Sequence, residues 1–215
     1  MVHEKIYSLG EEIANSITHG IGTILAIAAL VLLINRAVAH APEGFIVPYV
    51  VGFTIYGVSL IVLYSCSTLY HAFVPSTTKK VFAILDHSAI YILIAGTYTA
   101  LCLSVLYGTL GWVLFGIIWF LATLGIVFYA IYQNRVKWMS FALYLLMGWL
   151  VLFAWKPLYD SLSALSLNLL FLGGIAYTLG CIFFLMKKIP WMHSVWHLFV
   201  LAGSILHFFS IYFAI

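Results

Sequence analysis

Residues 110–132 read LGWVLFGIIWFLATLGIVFYAIY, a stretch without a single charged side chain. A helix needs roughly 20 mostly apolar residues to cross the hydrocarbon core of a bilayer. Only a helix or a closed barrel satisfies its own backbone hydrogen bonds in hydrocarbon, and the stretch lacks the alternating polarity of barrel strands. It therefore predicts a transmembrane α-helix.

Six further runs of the same kind flank this stretch on both sides. The predicted spans cover approximately residues 16–38, 46–71, 81–104, 110–132, 138–156, 163–186 and 192–214. The connections between them are short, so the sequence predicts an all-α membrane protein with one seven-helix domain over residues 1–215.

The composition agrees with a bilayer as the solvent. Hydrophobic residues make up 65% of the chain and charged residues 7%, whereas soluble domains carry roughly 25% charged residues. The net charge is only +3 and the basic residues lie in short clusters, which argues against nucleic acid as a partner. Membrane lipids are the expected partners. The three cysteines all fall inside apolar runs and are expected to be buried apolar residues.

The basic residues also predict the orientation of the chain. The N-terminal tail and the loops after spans two, four and six share one side of the membrane, and the remaining loops share the other. Positive charge is retained in the cytoplasm, so the N-terminus is predicted inside and the C-terminus outside. The first side carries Lys5, Lys79, Lys80, Arg135, Lys137, Lys187 and Lys188, and the second only Arg36 and Lys156.

Ionisable residues inside spans are costly and call for an explanation. His193 and His197 lie four residues apart at the start of the seventh span, on one face of a helix. His71 ends the second span and Asp86 lies about two turns into the third. The predicted topology brings these residues from three helices to the same depth.

Three imidazoles and a water form the ligand set of an open zinc site, so His71, His193 and His197 are the predicted metal ligands. Imidazole also suits copper, iron and nickel. Asp86 is a candidate hydrogen-bond acceptor or general base for the water, and Ser67, one turn before His71, could hydrogen-bond the site. Alternatively, Asp86 makes a structural pair with His87 or Lys79, and the histidines cap helices or lie at the interface.

Glu12, Asn15 and His19 form a polar stripe on one face of the first span. The stripe either lines the mouth of the same cavity or packs against the seventh span through hydrogen bonds. His207 lies too far along the seventh span to reach the same metal, so it is expected to be a buried, hydrogen-bonded histidine.

Taken together, these motifs resemble the hemolysin III family, a branch of the progestin and adipoQ receptor superfamily of seven-span proteins. The resemblance runs from residue 11 to residue 215. It implies zinc bound by His71, His193 and His197, with Asp86 holding a water on the zinc, and an N-terminus inside the cell. The motifs that carry it are Glu12-Ile-Ala-Asn15-Ser16-Ile-Thr-His19-Gly20, Ser67-x-x-x-His71, Asp86-His87 and His193-x-x-x-His197.

Three functions compete at this point. The first is membrane lipid homeostasis, with zinc-dependent hydrolysis of lipid amides suggested only by analogy to ceramidase-like members of the superfamily. The second is a lipid sensor or receptor with a structural zinc. The third is a pore-forming haemolysin, which is disfavoured because the half of each span farther from the histidines is expected to be nearly all apolar. The substrate and the oligomeric state do not follow from the sequence.

Overall fold

The computed structural model describes residues 7–73, 77–186 and 188–215, except for the side chains of Asn134 and Lys137. Over these residues all regular secondary structure is helical, and there is no strand. Seven segments are long and apolar enough to cross a membrane, which confirms the predicted all-α, seven-span architecture. The helices are α1 (Leu9–His40), α2 (Ile46–Ala72), α3 (Thr77–Cys102), α4 (Thr109–Tyr132), α5 (Lys137–Trp149), α6 (Trp155–Ser161), α7 (Ala164–Leu185) and α8 (Met192–Tyr212).

Helix α1 begins seven residues before the predicted start of the first span. The Ser8 side chain accepts a hydrogen bond from the Glu11 backbone N–H, and the Glu11 carboxylate accepts one from the Ser8 N–H. This capping box satisfies two N–H groups that the helix itself leaves unpaired. The prediction placed the start too late because hydropathy detects the apolar run and not the polar first turns.

The fifth span is the least regular. A 3-10 segment, Leu150–Ala154, separates α5 from α6 near the middle of this span. The Tyr98 hydroxyl lies 2.8 Å from the Met147 carbonyl and 3.2 Å from the Gly148 carbonyl. It therefore donates a hydrogen bond to backbone carbonyls just before the irregular segment. The helix then continues to Ser161. The predicted end at residue 156 is therefore wrong. Pro157 does not end the span, because it lies in the first turn of α6, where a proline is tolerated.

Small residues let the helices approach closely. A Cβ atom on Gly173 would overlap the His207 ring, and one on Gly180 would lie 2.7 Å from the Phe199 Cβ. The same close approach occurs between α1 and α2, where a Cβ on Gly57 would lie 3.0 Å from the Leu30 Cα. In a bilayer such contacts supply much of the packing energy between helices.

Polar side chains continue along α8 beyond His197, contrary to the expectation that this half of the spans is nearly all apolar. The hydroxyls of Tyr64 and Tyr177 each lie 2.7 Å from the Ser204 Oγ. One and a half turns further along, Ser166 and Ser210 exchange hydrogen bonds with each other's backbone carbonyls. These groups are paired with one another between helices, so they connect α2, α7 and α8.

Candidate metal centre

Three histidines from two helices meet at one end of the bundle. The Nε2 atoms of His71 and His193 are 3.3 Å apart, and those of His193 and His197 are 3.2 Å apart. One ring nitrogen from each residue lies within 4.8 Å of the other two. The structure therefore brings together the three histidines that the sequence predicts as ligands.

The local structure explains this convergence. His71 lies in the last turn of α2, while His193 and His197 lie in the first two turns of α8, one above the other on the same face. Trp191, immediately before α8, adopts a left-handed conformation with φ at 66°, and its N–H donates to the Glu11 Oε1 at 2.8 Å. This hydrogen bond attaches the start of α8 to the start of α1.

The donor set fits a metal ion better than it fits hydrogen bonds among the rings. The Nε2 atom of His193 is close to both other Nε2 atoms, yet a neutral imidazole carries at most one proton on that nitrogen. One proton cannot serve both contacts well, whereas a cation among the rings would be bound by one lone pair from each of the three. His71 and His197 are only 3% and 1% exposed. Three imidazoles match the protein ligands of an open, catalytic type of zinc site.

The polar stripe of α1 lies directly against the three histidines. Glu12 Oε2 is 2.6 Å from the His71 Nδ1, and Glu12 Oε1 is 2.6 Å from the Lys79 Nζ. The His19 ring stacks on the His197 ring, with centroids 3.6 Å apart and planes at 12°. Asn15 accepts a 2.6 Å hydrogen bond from the Ser194 hydroxyl on α8. Both readings that the sequence left open are therefore partly right, because the stripe touches the site and also binds α8.

Asp86 and Ser67 remain predictions as site residues. Asp86 lies on α3 with a side chain 15% exposed, and its Oδ2 is 3.8 Å from the His87 Nδ1. It does not belong to the group of ligand atoms within 4.8 Å of one another. Lys79, the other partner considered for Asp86, instead pairs with Glu12. Ser67 is buried one turn before His71 on α2.

An apolar cavity of about 130 Å³ lies between α3, α5, α7 and α8, beside the histidines. Phe184 and Trp196 line its near end, and the Phe184 ring centroid is 6.3 Å from that of His193. His207 lines the cavity farther along α8 and has its Nε2 3.1 Å from the Leu170 carbonyl. This contact confirms the expected hydrogen-bonded role of His207, away from the histidine triad of His71, His193 and His197.

Sequence reasoning missed the role of Tyr7 entirely. Its ring stacks on the His193 ring with centroids 4.9 Å apart and meets the edge of the His71 ring at 5.9 Å. Tyr7 therefore covers the histidines on the side of the N-terminal tail. It precedes the first apolar run, and no spacing relates it to the histidine motifs, so the sequence offered no signal for it.

Comparisons with known proteins agree with these motifs. The sequence model of the family described as Haemolysin-III related matches residues 7–208. The chain is 51% identical to Hemolysin-3 of Bacillus cereus over 94% of this chain and 91% of that protein. It is also 51% identical to a Hemolysin-3 homolog of Bacillus subtilis (strain 168), over 97% and 96% of the two chains.

A more distant similarity extends to animals. The monocyte to macrophage differentiation factor of Homo sapiens is 30% identical over 74% of this chain and 68% of that protein. No solved structure matches the chain.

Proposed function

Because the chain belongs to the Haemolysin-III related family, we propose that it is a zinc-dependent hydrolase of lipid amides that acts in membrane lipid homeostasis. Seven spanning helices and the family make it a multi-pass membrane protein, and the cell membrane is its expected location. The observation that carries the proposal is the convergence of three histidine Nε2 atoms beside an apolar cavity within the membrane.

In this proposal His71, His193 and His197 bind the zinc ion. When bound, zinc polarises a carbonyl group and makes water a stronger nucleophile at neutral pH. The stacked rings of Tyr7 and His19 cover the triad on two sides and limit its access to bulk water. Desolvation of this kind strengthens the electrostatic interactions inside a site.

Asp86 takes the part of the general base in the same reaction. It lies on α3, beside the helix that carries His71, and is the carboxylate that the sequence assigns to the site. Asp86 accepts a proton from the attacking water, the water oxygen bonds to the amide carbon, and the carbon–nitrogen bond breaks. The amine leaves with a proton and the acyl group leaves as a carboxylic acid, so the reaction consumes one water.

The apolar cavity supplies the reason for a lipid substrate. The cavity is lined almost wholly by hydrophobic and aromatic residues, all of which belong to the predicted membrane-spanning segments. Ligand sites are typically apolar with a few polar groups that orient the ligand. Phe184 lines the cavity and its ring centroid lies 6.3 Å from that of His193, so an acyl chain in the cavity would have its amide near the histidines.

We also propose that the histidine end of the bundle faces the cytoplasm. The described basic residues predicted on that side are Lys79, Lys80, Arg135, Lys188 and, by its backbone alone, Lys137; Lys5 and Lys187 lie outside the described residues. Short loops rich in lysine and arginine are retained inside the cell. The hydrolase would then act on lipids of the inner leaflet.

The first test is the zinc content of detergent-purified protein by elemental analysis. We expect about one zinc per chain in the wild type and its loss in His197→Ala. His40→Ala is the matched control, because His40 is exposed at the far end of α1. Fatty acid release from ceramide by the zinc-loaded wild type, and not by His197→Ala, would support the hydrolase. Absence of zinc from the wild type would refute the metal centre.

A structural zinc in a lipid sensor is the second candidate, and one observation favours it. The histidines bind α2 to α8 at the point where α1 also attaches. In that case removal of zinc would lower the melting temperature of the protein, and zinc-loaded protein would release no fatty acid. The name of the Bacillus cereus relative, Hemolysin-3, refers to haemolysis. No such observation favours a pore among the described residues, because the polar groups along α8 hydrogen-bond to groups on neighbouring helices.

A further inference from the structure

Glu12 contacts the histidine triad from behind. Its Oε2 lies 2.6 Å from the Nδ1 of His71, the ring nitrogen on the opposite side from the Nε2 that faces His193. The His71 side chain is fully buried and the Glu12 side chain is 17% exposed. Glu12 is therefore placed to act on the site through His71, without being a ligand itself.

The contact determines which nitrogen of His71 is free to bind a metal. An ionised carboxylate only accepts hydrogen bonds, so the proton of a neutral His71 must lie on Nδ1. Its Nε2 then presents a lone pair toward His193. Histidines that bind metals commonly donate their other N–H to a carboxylate, which fixes the ring and raises its basicity.

We propose that Glu12 is the positioning residue of the metal centre, which holds His71 in the tautomer and orientation that zinc requires. The inference rests on the proposed function only for the identity of the metal. It extends the site from α2 and α8 to α1. It also assigns a role to a residue that the sequence left between two readings.

The fold holds the Glu12 carboxylate in place from both sides. Glu11 accepts the Trp191 N–H, and Asn15 accepts the Ser194 hydroxyl, so α1 is attached to the start of α8 one residue before and three residues after Glu12. The second oxygen of Glu12 pairs with the ammonium group of Lys79, whose side chain is 11% exposed. This pair gives the second oxygen of Glu12 a partner on α3, while the first oxygen faces His71.

The Lys79 pair also raises an alternative, that Glu12 merely joins α1 to α3 through a salt bridge. The two roles separate experimentally. Glu12→Gln removes the anionic acceptor from both partners, whereas Lys79→Met breaks the salt bridge and leaves the contact with His71. If Glu12 acts through His71, zinc affinity falls in the first variant far more than in the second.

The test measures zinc affinity by competition with a fluorescent zinc indicator, on wild-type, Glu12→Gln, Glu12→Asp and Lys79→Met protein. Loss of a carboxylate behind a metal-binding histidine typically lowers affinity about 10–100-fold, and we expect this for Glu12→Gln with partial recovery in Glu12→Asp. Equal zinc affinity in Glu12→Gln and wild type would overturn the inference. So would equal losses in Glu12→Gln and Lys79→Met.

A second readout does not depend on zinc or on hydrolysis. Nitrogen-15 chemical shifts of labelled histidine distinguish the two tautomers, and His71→Ala identifies the signals of His71. We expect the proton on Nδ1 in the metal-free wild type and a mixture of tautomers in Glu12→Gln. A mixture already present in the wild type would refute the positioning role. Failure of ceramide hydrolysis would leave this result untouched.

Discussion

The hydrogen bonds at Ser204 offer a quantitative test of how α8 is held against its neighbours. Ser204 is 4% exposed, and its Oγ lies 2.7 Å from the hydroxyls of both Tyr64 on α2 and Tyr177 on α7. Ser204→Ala removes the hydroxyl that both phenols contact but leaves the phenols in place. Tyr177→Phe removes one of the two hydrogen bonds and leaves the Tyr64 bond intact. The two substitutions therefore differ in how many buried hydroxyls they leave without their partner.

The expected magnitudes follow from this difference. Interhelical hydrogen bonds in membranes contribute on average about 0.6 kcal/mol and at most about 1.7 kcal/mol. Tyr177→Phe should cost about 0.6 kcal/mol. Ser204→Ala should cost about 1–3 kcal/mol, because it loses two hydrogen bonds and leaves the buried Tyr177 hydroxyl without its partner. In the Ser204→Ala background, Tyr177→Phe should cost nothing, since it then removes a hydroxyl that has already lost its partner.

The assay is reversible unfolding in mixed micelles, with the free energy of unfolding compared across the four members of the double-mutant cycle. Independent sites are additive within about 0.3–0.5 kcal/mol. Additivity within that range would show that the hydrogen bond between Tyr177 and Ser204 does not contribute to stability, and the reasoning would fail. Zinc content should stay unchanged in Ser204→Ala, because Ser204 lies about two turns beyond His197.

Three further predictions concern packing, catalysis and orientation. Gly57→Ala should lower the free energy of unfolding by about 1–3 kcal/mol, because its Cβ would meet the α1 backbone. The control, Gly116→Ala in open space on α4, should change it by less than about 1 kcal/mol. Asp86→Asn should keep its zinc by elemental analysis and release fatty acid about 10²–10⁴-fold more slowly; unchanged turnover would remove Asp86 from the mechanism. In a variant without native cysteines, a cysteine replacing Lys156 should react with an impermeant maleimide on intact cells, and one replacing Arg135 should not; the reverse labelling would invert the proposed orientation.

The sequence was sufficient to predict the spans because hydropathy is a local property. Each run needs only its own apolar residues to be recognised, and five of the seven predicted spans agree with the observed segments to within four residues at both ends. The two exceptions are spans one and five, whose boundaries depend on a polar first turn and on an irregular stretch of backbone. The capping box at Ser8 extended α1, and a hydroxyl from Tyr98, which is distant in sequence, lies against the carbonyls beside the break in span five.

The histidine site could be predicted for a different reason. Alternating spans must begin and end on alternating sides of the membrane, so residues at particular span ends share a depth even before any contact is known. This argument placed His71, His193 and His197 together correctly. It could not decide whether Asp86 or Glu12 contacts the histidines, because both carboxylates lie near the same end of the bundle. Depth alone does not tell which way a side chain faces around its helix.

The choice between those carboxylates depends on how each helix is rotated about its axis. Rotation is determined by packing, such as the Glu11 contact with the Trp191 N–H and the contact of Asn15 with Ser194. Both contacts join residues about 180 positions apart in the chain, so no local pattern could reveal them. The outcome assigns different parts to the two acids. Glu12 lies against a histidine nitrogen that faces away from the triad, and so it can orient a ligand but cannot reach a substrate on the other side of the ring. In the hydrolysis proposed above, the carboxylate that accepts a proton therefore comes from another helix, and Asp86 on α3 is the candidate.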